Sequence, residues 1–483
     1  MHRALPPVRV PLVRAVALGA CALLSAGALQ GCGGGSGGSG SPQVRVLNAL
    51  GLDAAATNAN YDVLVNSASA VSNLGSAQAS SFQAVPAAST LVQFEPTGTK
   101  TVVDSASFAT QNGQDYTVVA IAGSAGLSNQ VVAQTNASVA SGQARLAFAH
   151  AAPATGSLDL FVSSPAAALP VAASVAALAY PGDGASAAPA VLSVAAGDQR
   201  IRAIARGDAT RTVVFDSGPL STAAGDDLLL ALVPASGSAS EVSLLVATAD
   251  SSVYRVRDQR VLLRVGNYAP GLGSVDAFLD ASGTGNSTAT QIAATLTAES
   301  ASAYSRQLPG AYRLSLAASG QTLELLGSQT ALSASTSLSA FAVGIAGQSA
   351  PYGRQLLLYT DDLRAPASGT ARVRVLALAP DLAAVDLVLL DTSGTSPVIV
   401  RRLAVNLAYT GASTPIVLAP GSYAVALVPT GLDAPLLPSS AGAVLSVSDG
   451  GVYSLVIAGC RTPASGTCAS ATTALELLSL QDQ

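Results

Sequence analysis

The stretch Arg372–Leu390 reads R-V-R-V-L-A-L-A-P-D-L-A-A-V-D-L-V-L-L and is the clearest copy of a pattern found four times in the chain. An alternating strand pattern leads into an Ala-Pro turn, and a second strand pattern follows with Asp386 near its start. The earlier copies carry Asp62, Asp159 and Asp276 in the same slot, and the four aspartates lie 97, 117 and 110 residues apart. This spacing fits a complete small β domain and exceeds the length of a solenoid repeat, about 20–50 residues.

Two further markers recur in the same order inside each copy. A Pro-Gly turn precedes Tyr312 and Tyr423 in the last two copies and is degraded in the first two. A polar turn then runs into an apolar strand, as in 450–457. Three ordered markers indicate tandem duplication. We expect the two tyrosines to be partly buried packing residues, with a sugar-stacking platform as the alternative.

These markers resemble a family of bacterial envelope domains known as domain-of-unknown-function family 4397. The resemblance covers nearly all of the chain after Pro42 and is best in copies three and four. It implies small β-sandwich modules in exported proteins, and it supplies no catalytic residues to transfer.

From Gln43 onward, short apolar or alternating runs recur between turn clusters. We predict an all-β chain of four tandem immunoglobulin-like β-sandwich modules, each with about seven strands. Their predicted bounds are 43–140, 141–250, 257–366 and 367–483.

Residues 1–31 are typical of an export signal, with a basic leader and an apolar run from Ala15 to Leu29. The run ends in Leu29-Gln30-Gly31-Cys32, which resembles the lipobox of bacterial lipoproteins. The resemblance implies that Cys32 carries acyl chains, and that 32–42 form a lipidated cysteine and a Gly/Ser tether. A plain secretory signal with a chance cysteine is the alternative. Gly33 is not Asp, so we expect an outer-membrane location in the cell envelope if the organism is Gram-negative.

Composition argues against nucleic-acid binding. Of 483 residues only 11% are charged, the formal net charge is −5, and Lys100 is the only lysine. Neutralising several phosphates needs a basic surface that this chain does not encode.

Cys460 and Cys468 remain after the signal and Cys32 are set aside. They flank a short loop behind an apolar strand, and we predict a disulfide, as in other exported proteins. A redox-active pair is the alternative, but the C-x-x-C spacing is missing.

The sequence contains few side chains of the types that usually carry out catalysis. His150 is the only histidine after the signal and stands beside a turn, so we expect a surface or capping residue. One histidine and a disulfide do not supply a zinc site, and we predict no metal and no cofactor. The acidic pairs 226–227 and 361–362 are expected to be solvated, because adjacent strand residues point to opposite faces.

The recurring aspartate is the strongest candidate site. A repeated Ca²⁺ or ligand contact is one interpretation, but calcium needs six to eight oxygens from clustered residues. The other is structural: the aspartate binds turn amides or pairs with the opening-strand arginine of its own module. The predicted ion pairs are Arg45–Asp62, Arg145–Asp159, Arg264–Asp276 and Arg374–Asp386.

These observations favour a non-enzymatic envelope lipoprotein with a structural, adhesive or protein-binding role. Its expected partners are the membrane, through the lipid anchor, and an envelope protein or glycan. A carbohydrate- or polymer-binding surface protein is the alternative, and a hydrolase is a third. The sequence leaves the oligomeric state open.

Overall fold

A computed structural model of the chain describes residues 40–50, 60–123, 126–181, 190–235, 239–281, 289–434, 443–468 and 474–482. The predicted signal, Cys32 and most of the tether lie outside the described residues. The described part is built from strands, with short 3₁₀ turns such as Pro153–Thr155 and Gly466–Cys468. None of its residues form a helix long and apolar enough to cross a membrane. The all-β prediction is confirmed.

Four successive modules account for the 35 strands found in the described residues. The strands of module 1 are β1 (Gln43–Asn48), β2 (Tyr61–Val65), β3 (Ala68–Leu74), β4 (Gln78–Ala79), β5 (Gln83–Ala84), β6 (Ser89–Pro96), β7 (Asp104–Ala109), β8 (Gln114–Gly123) and β9 (Gly126–Thr135). Those of module 2 are β10 (Gln143–His150), β11 (Leu158–Ser163), β12 (Val175–Leu178), β13 (Ala190–Ala195), β14 (Gly197–Ala205), β15 (Val213–Thr222), β16 (Asp227–Pro234), β17 (Val242–Ala247) and β18 (Val253–Val256).

Modules 3 and 4 repeat this order. The strands of module 3 are β19 (Val261–Asn267), β20 (Val275–Asp280), β21 (Thr290–Leu296), β22 (Ser300–Ala301), β23 (Ser305–Gln307), β24 (Gly310–Ala318), β25 (Glu324–Leu332), β26 (Ser337–Val343) and β27 (Gln355–Thr360). Those of module 4 are β28 (Ala371–Ala377), β29 (Val385–Asp391), β30 (Val398–Leu407), β31 (Ile416–Leu418), β32 (Gly421–Pro429), β33 (Ala443–Val447), β34 (Val452–Ala458) and β35 (Glu476–Gln481).

Each module consists of two sheets. The opening sheet contains the first strand of the module, which pairs in parallel with a late strand: β1 with β8, β10 with β16, β19 with β26, and β28 with β34. The second sheets have the orders β3-β2-β6-β7, β12-β11-β14-β15, β21-β20-β24-β25 and β30-β29-β32-β33. Within the described residues, modules 1, 2 and 3 have nine strands each and module 4 has eight, more than the predicted number of about seven. The additional strand β18 extends the opening sheet of module 2 beyond the predicted bound at 250.

The opening strands are buried on both faces. In module 4, Val373 and Val375 point into the core between the two sheets of their own module. Their neighbours Leu376 and Leu378 point the other way, into a cluster with Phe341 of module 3. Strands buried on both sides lose the polar alternation of a surface sheet, which explains the nearly continuous apolar character of Arg372–Leu390.

The modules are joined face to face in two pairs. Module 1 contributes Leu47 and Ile121 to the interface between the opening sheets of modules 1 and 2, and module 2 contributes small residues such as Ala147, Ala149 and Ala231. We call this the 1–2 interface. The corresponding contact between the opening sheets of modules 3 and 4 is the 3–4 interface. Alanines on one sheet let larger side chains of the other approach closely.

A hydrogen-bonded linker joins module 2 to module 3. The buried Asp258 carboxylate forms an ion pair with Arg260, 2.6 Å from Oδ2 to Nη2, and accepts the backbone N–H of Asp216 on β15 at 3.1 Å. Its carbonyl oxygen accepts the hydroxyl of Ser335 in module 3 at 2.6 Å. The connection between the two pairs of modules is therefore held by buried bonds on both sides.

Candidate functional site

The predicted Arg–Asp pairs are not formed among the described residues, and this part of the prediction is wrong. An opening-strand arginine and the recurring aspartate of the same module lie in different sheets. The arginine shares its face with residues such as Leu376 that point toward the neighbouring module, whereas Asp386 alternates with the core residues Val385 and Leu387 and so faces outward from the second sheet. Strand alternation therefore directs the two side chains to opposite sides of the module.

The recurring aspartates instead bind backbone amides of turns. This was the second structural role considered for the aspartate position. Asp276 accepts the N–H of Thr295 at 2.7 Å and that of Gly320 at 2.9 Å. These hydrogen bonds hold the pKa of Asp276 below its usual value. Asp62 likewise accepts the N–H groups of Asn73 and Gly98, at 2.8 and 3.3 Å.

The bonded residue on the third strand has the same unusual backbone in all four modules. Its φ is positive: 57° at Asn73, 56° at Ala177, 52° at Thr295 and 53° at Asn406. Each donates its N–H to the aspartate of its module, at 2.7–2.8 Å. Because non-glycine residues adopt this conformation at a cost, the aspartate has a structural role: it stabilises a strained bulge.

The arginines instead bind the strand beside them and the neighbouring module. Opposite each arginine, across the parallel strand pair, stands one polar residue: Thr117 for Arg45, Asp227 for Arg145, Ser339 for Arg264 and Ser454 for Arg374. Each of these four accepts a hydrogen bond from its arginine, at 2.7–3.0 Å. The sequence carries a signal for this partner that the predicted ion pairs left out: a hydroxyl residue inside the third marker (Tyr116-Thr117-Val118 and Tyr453-Ser454-Leu455).

At the 3–4 interface the arginines form reciprocal ion pairs. Arg264 of module 3 lies 2.7 Å from Asp482, which follows the last strand of module 4, and both side chains are almost completely buried. Arg374 of module 4 pairs in return with Asp361, which follows the last strand of module 3. Burial raises the pKa of Asp482, although the Arg264 charge opposes this shift. Asp361 was expected to be solvated, but its side chain is only 1% exposed.

At the 1–2 interface, backbone carbonyl groups bind the opening-strand arginines where carboxylates bind them at the 3–4 interface. Arg45 donates to the carbonyl of Thr248 at the end of module 2. Arg145 donates in return to the carbonyls of Thr135 and Ala137 at the end of module 1 and pairs with Asp227 at 2.8 Å. Burial lowers the pKa of Arg45 to about 10. Both interfaces therefore have the same pseudo-twofold arrangement, and in the part of the chain that the structure describes the ion pairs cross the 3–4 interface only.

A cleft of about 330 Å³ opens at the 3–4 interface. Module 3 contributes Tyr359 and Asp362, and module 4 contributes Arg374, Pro415 and Asp482, among other residues. A mostly apolar lining with a few charged groups is typical of a pocket for a small ligand.

The disulfide prediction is supported, since Cys460 and Cys468 are bonded to each other. Asp381 lies close to both sulfur atoms. Because disulfide sulfurs are not thiolate ligands, these three residues do not form a zinc site. Asp381 instead accepts the N–H groups of Arg461 and Thr462, at 2.9 and 2.8 Å, and so fixes the loop that the disulfide closes.

His150 is buried rather than on the surface, but it does bind a turn. Its Nδ1 accepts the N–H of Ala152 at 3.2 Å, and its Nε2 lies 2.7 Å from the carbonyl oxygen of Gly156. These partners correspond to the neutral tautomer with the proton on Nε2.

The tyrosines after the Pro-Gly turns are partly buried, as predicted: Tyr312 packs on the core of module 3 and Tyr423 on that of module 4. The most exposed tyrosines of the described chain are Tyr254 and Tyr352, 43% and 42% exposed. They belong to different modules, so they do not form a row on one module.

Fold and contacts together define a protein of tandem β-sandwich modules that are paired through their opening sheets. The family model "Domain of unknown function (DUF4397)" matches residues 42–161 and 261–388, just over half of the chain. The chain belongs to this family. Each match covers one whole module together with the first strand and part of the second strand of its partner, and so crosses a paired interface.

Comparison with curated proteins finds no match. Among solved structures, the chain is similar to the Bacillus anthracis TIE protein at 10% identity and a TM-score of 0.15, covering 87% of this chain and 73% of that one. A product complex of the multi-modular glycogen-degrading pneumococcal virulence factor SpuA matches at 8% identity and a TM-score of 0.15. That match covers 59% of this chain and 37% of the other, so the chain spans well under half of SpuA.

Proposed function

We propose that this protein is a non-enzymatic lipoprotein of the bacterial cell envelope that serves as a spacer or protein-binding scaffold. The observation that carries the proposal is that every junction between consecutive modules contains buried polar bonds. Arg145 holds the 1–2 interface, Asp258 holds the 2–3 linker, and Arg264 and Arg374 hold the 3–4 interface. Modules joined in this way keep fixed relative positions, as a spacer or scaffold requires.

The anchor is supported by the Leu29–Cys32 lipobox resemblance and by the Gly/Ser stretch that follows it. The end of that stretch is fixed to module 1: the carbonyl of Gly40 accepts the N–H of Gly113 at 2.8 Å and the side-chain amide of Asn136 at 3.2 Å. The tether available between Cys32 and this point is the short run 33–39. A fully extended run of this length spans at most roughly 25 Å, so module 1 would stay close to the lipid surface.

Membrane fractionation and mass spectrometry of the N-terminal peptide test the anchor. The expected result is an acylated Cys32 in the membrane fraction, with release of the chain by Cys32→Ala. An unmodified N-terminal peptide in a chain that stays soluble would contradict it.

Distance measurements between spin labels test the scaffold. Labels at the exposed positions Val102 of module 1 and Val444 of module 4 should give a narrow distance distribution. A broad distribution, as for modules on flexible linkers, would contradict the proposed role while leaving the anchor untouched.

A further inference from the structure

An aromatic ring covers the opening-strand arginine in module 3. Between β22 and β23, Ser302 accepts the backbone N–H of Val265, the residue that follows Arg264, at 3.0 Å. Tyr304 stands two residues later, and the Cζ atom of Arg264 lies 4.8 Å from the centre of its ring. The phenol hydroxyl donates to Asp361 Oδ2 at 2.6 Å. The ring therefore stacks on a cation and is held by a carboxylate.

Module 1 has the same arrangement. Ser80, between β4 and β5, accepts the N–H of Val46 at 2.9 Å. Two residues later Phe82 covers Arg45, with 4.5 Å between Cζ and the ring centre. The position two residues after this serine is thus a ring position in both modules.

Module 4 has the serine but lacks the ring. Ser413 accepts the N–H of Val375, the residue that follows Arg374, at 2.9 Å. Two residues later stands Pro415. Pro415 and Arg374 both line the 330 Å³ cleft of the 3–4 interface. The cleft therefore lies where the other two modules place an aromatic ring.

The carboxylate at this cleft also lacks the bond that the ring supplies in module 3. Asp361 accepts a serine hydroxyl, a guanidinium and the hydroxyl of Tyr304. Its counterpart Asp482 accepts the hydroxyl of Ser454 at 2.6 Å and faces Arg264 at 2.7 Å. Among the described residues, no phenol reaches Asp482, which lines the cleft.

We propose that the cleft above Arg374 binds a phenolic ring, which stacks on the guanidinium and donates its hydroxyl to Asp482. The ligand is either a free phenol or the tyrosine side chain of a partner polypeptide, since both offer the same ring and donor. At about 330 Å³ the cleft lies at the lower end of the size range of small-ligand pockets, which is large enough to admit one ring. This inference does not depend on lipid anchoring.

Titration of the full chain in mild detergent tests the proposal. Methyl NMR shifts of Leu358 and Val452, which line the cleft, report the binding of p-cresol, N-acetyl-tyrosinamide and N-acetyl-phenylalaninamide. The two phenols should give saturable shifts, and the phenylalanine compound should bind at least about tenfold more weakly because it cannot donate to the buried carboxylate. Binding of p-cresol without the tyrosine compound would assign the site to free phenols, and binding of both would admit a tyrosine side chain.

No shift with either phenol at about 10 mM would overturn the proposal. So would equal affinity for the tyrosine and phenylalanine compounds, because the Asp482 contact would then contribute nothing.

A variant that supplies the ring within the chain gives an independent test. Pro415→Tyr copies the arrangement of Tyr304 and should abolish phenol binding, whereas Pro415→Ala leaves the cleft open and should bind within about twofold of the native chain. Unchanged phenol binding by a folded Pro415→Tyr chain would refute the site. If Pro415→Tyr does not fold, the titration of the native chain still decides whether the cleft binds a phenol.

Discussion

Arg374 on the opening strand of module 4 forms an ion pair with Asp361, which directly follows the last strand of module 3. Arg264 and Asp482 form the reciprocal pair at 2.7 Å. Each module of the pair thus supplies a cation from its first strand and an anion from its last. Both of these ion pairs join one module to the other, so the polar groups favour the paired arrangement over separated modules.

Removing one partner of the buried pair should destabilise the 3–4 interface strongly. Arg264→Met leaves Asp482 buried without its cation, and such losses cost about 3–5 kcal/mol. The loss of stability is measured by chemical denaturation, with hydrogen exchange of the β28 amides as the local probe. Arg364→Met is the matched control, because the Arg364 side chain is 67% exposed in its pair with Asp362 and exposed pairs contribute about 0–1 kcal/mol. Equal effects of the two substitutions would show that the buried pair has no special role.

The aspartate that binds the turn amides should make stability depend on pH. Its hydrogen bonds lower the pKa of Asp276 in the folded chain. A depressed carboxyl pKa contributes stability that is present above the unfolded value, about 3.9, and is lost as the pH falls through the folded value. Asp276→Asn should therefore unfold more easily at pH 7 and lose less further stability on acidification than the native chain.

Urea titrations at several pH values measure this dependence. Asp433→Asn is the control, because the Asp433 side chain is 80% exposed and binds no turn amide in the described chain. If the stability of Asp276→Asn depended on pH in the same way as that of the native chain, Asp276 would not have the proposed role in binding turn amides.

A side chain at Gly266 should disturb the 3–4 interface. A Cβ atom there would lie 2.7 Å from the rings of both Phe341 and Tyr268. Gly266→Ala should cost about 1–3 kcal/mol by overpacking, seen as a lower thermal midpoint. Gly394→Ala, where the nearest atom would be 3.7 Å away, should change it little. A native midpoint for Gly266→Ala would mean that the interface is loosely packed.

The disulfide should stabilise the end of module 4. Cys460 and Cys468 are bonded across a sequence separation of 8 residues. Replacing both with serine should cost roughly 2–3 kcal/mol through the entropy of the opened loop. Intact mass before and after reduction gives the bonding state, and the thermal midpoint gives the cost. Free thiols in the chain purified under oxidising conditions would contradict the bond.

The fold was predictable because its signals are local. Period-two patterns around Val373 and Val375 predict strands, and Pro-Gly turns at 309–310 and 420–421 predict where chains reverse. The four spaced copies then imply four modules. The Cys460–Cys468 bond was equally accessible, because the two cysteines stand close together in the sequence.

The partners of the charged residues were not predictable in the same way. Pairing Arg374 with Asp386 was reasonable from their proximity in the sequence, but alternation along two strands of different sheets sends their side chains to opposite sides. The groups that bind Arg374 instead, Asp361 and Ser454, are brought near it by module pairing and by a parallel strand pair.

By itself, the sequence determined the strand content, the four repeats and the disulfide loop, because each depends on residues a few positions apart. The tertiary structure alone decided which sheets face each other, and therefore which arginine meets which carboxylate and where an uncovered cleft remains. The physical reason is that side-chain alternation along a strand is a local property, whereas the surface that each face meets depends on the packing of residues far apart in the chain.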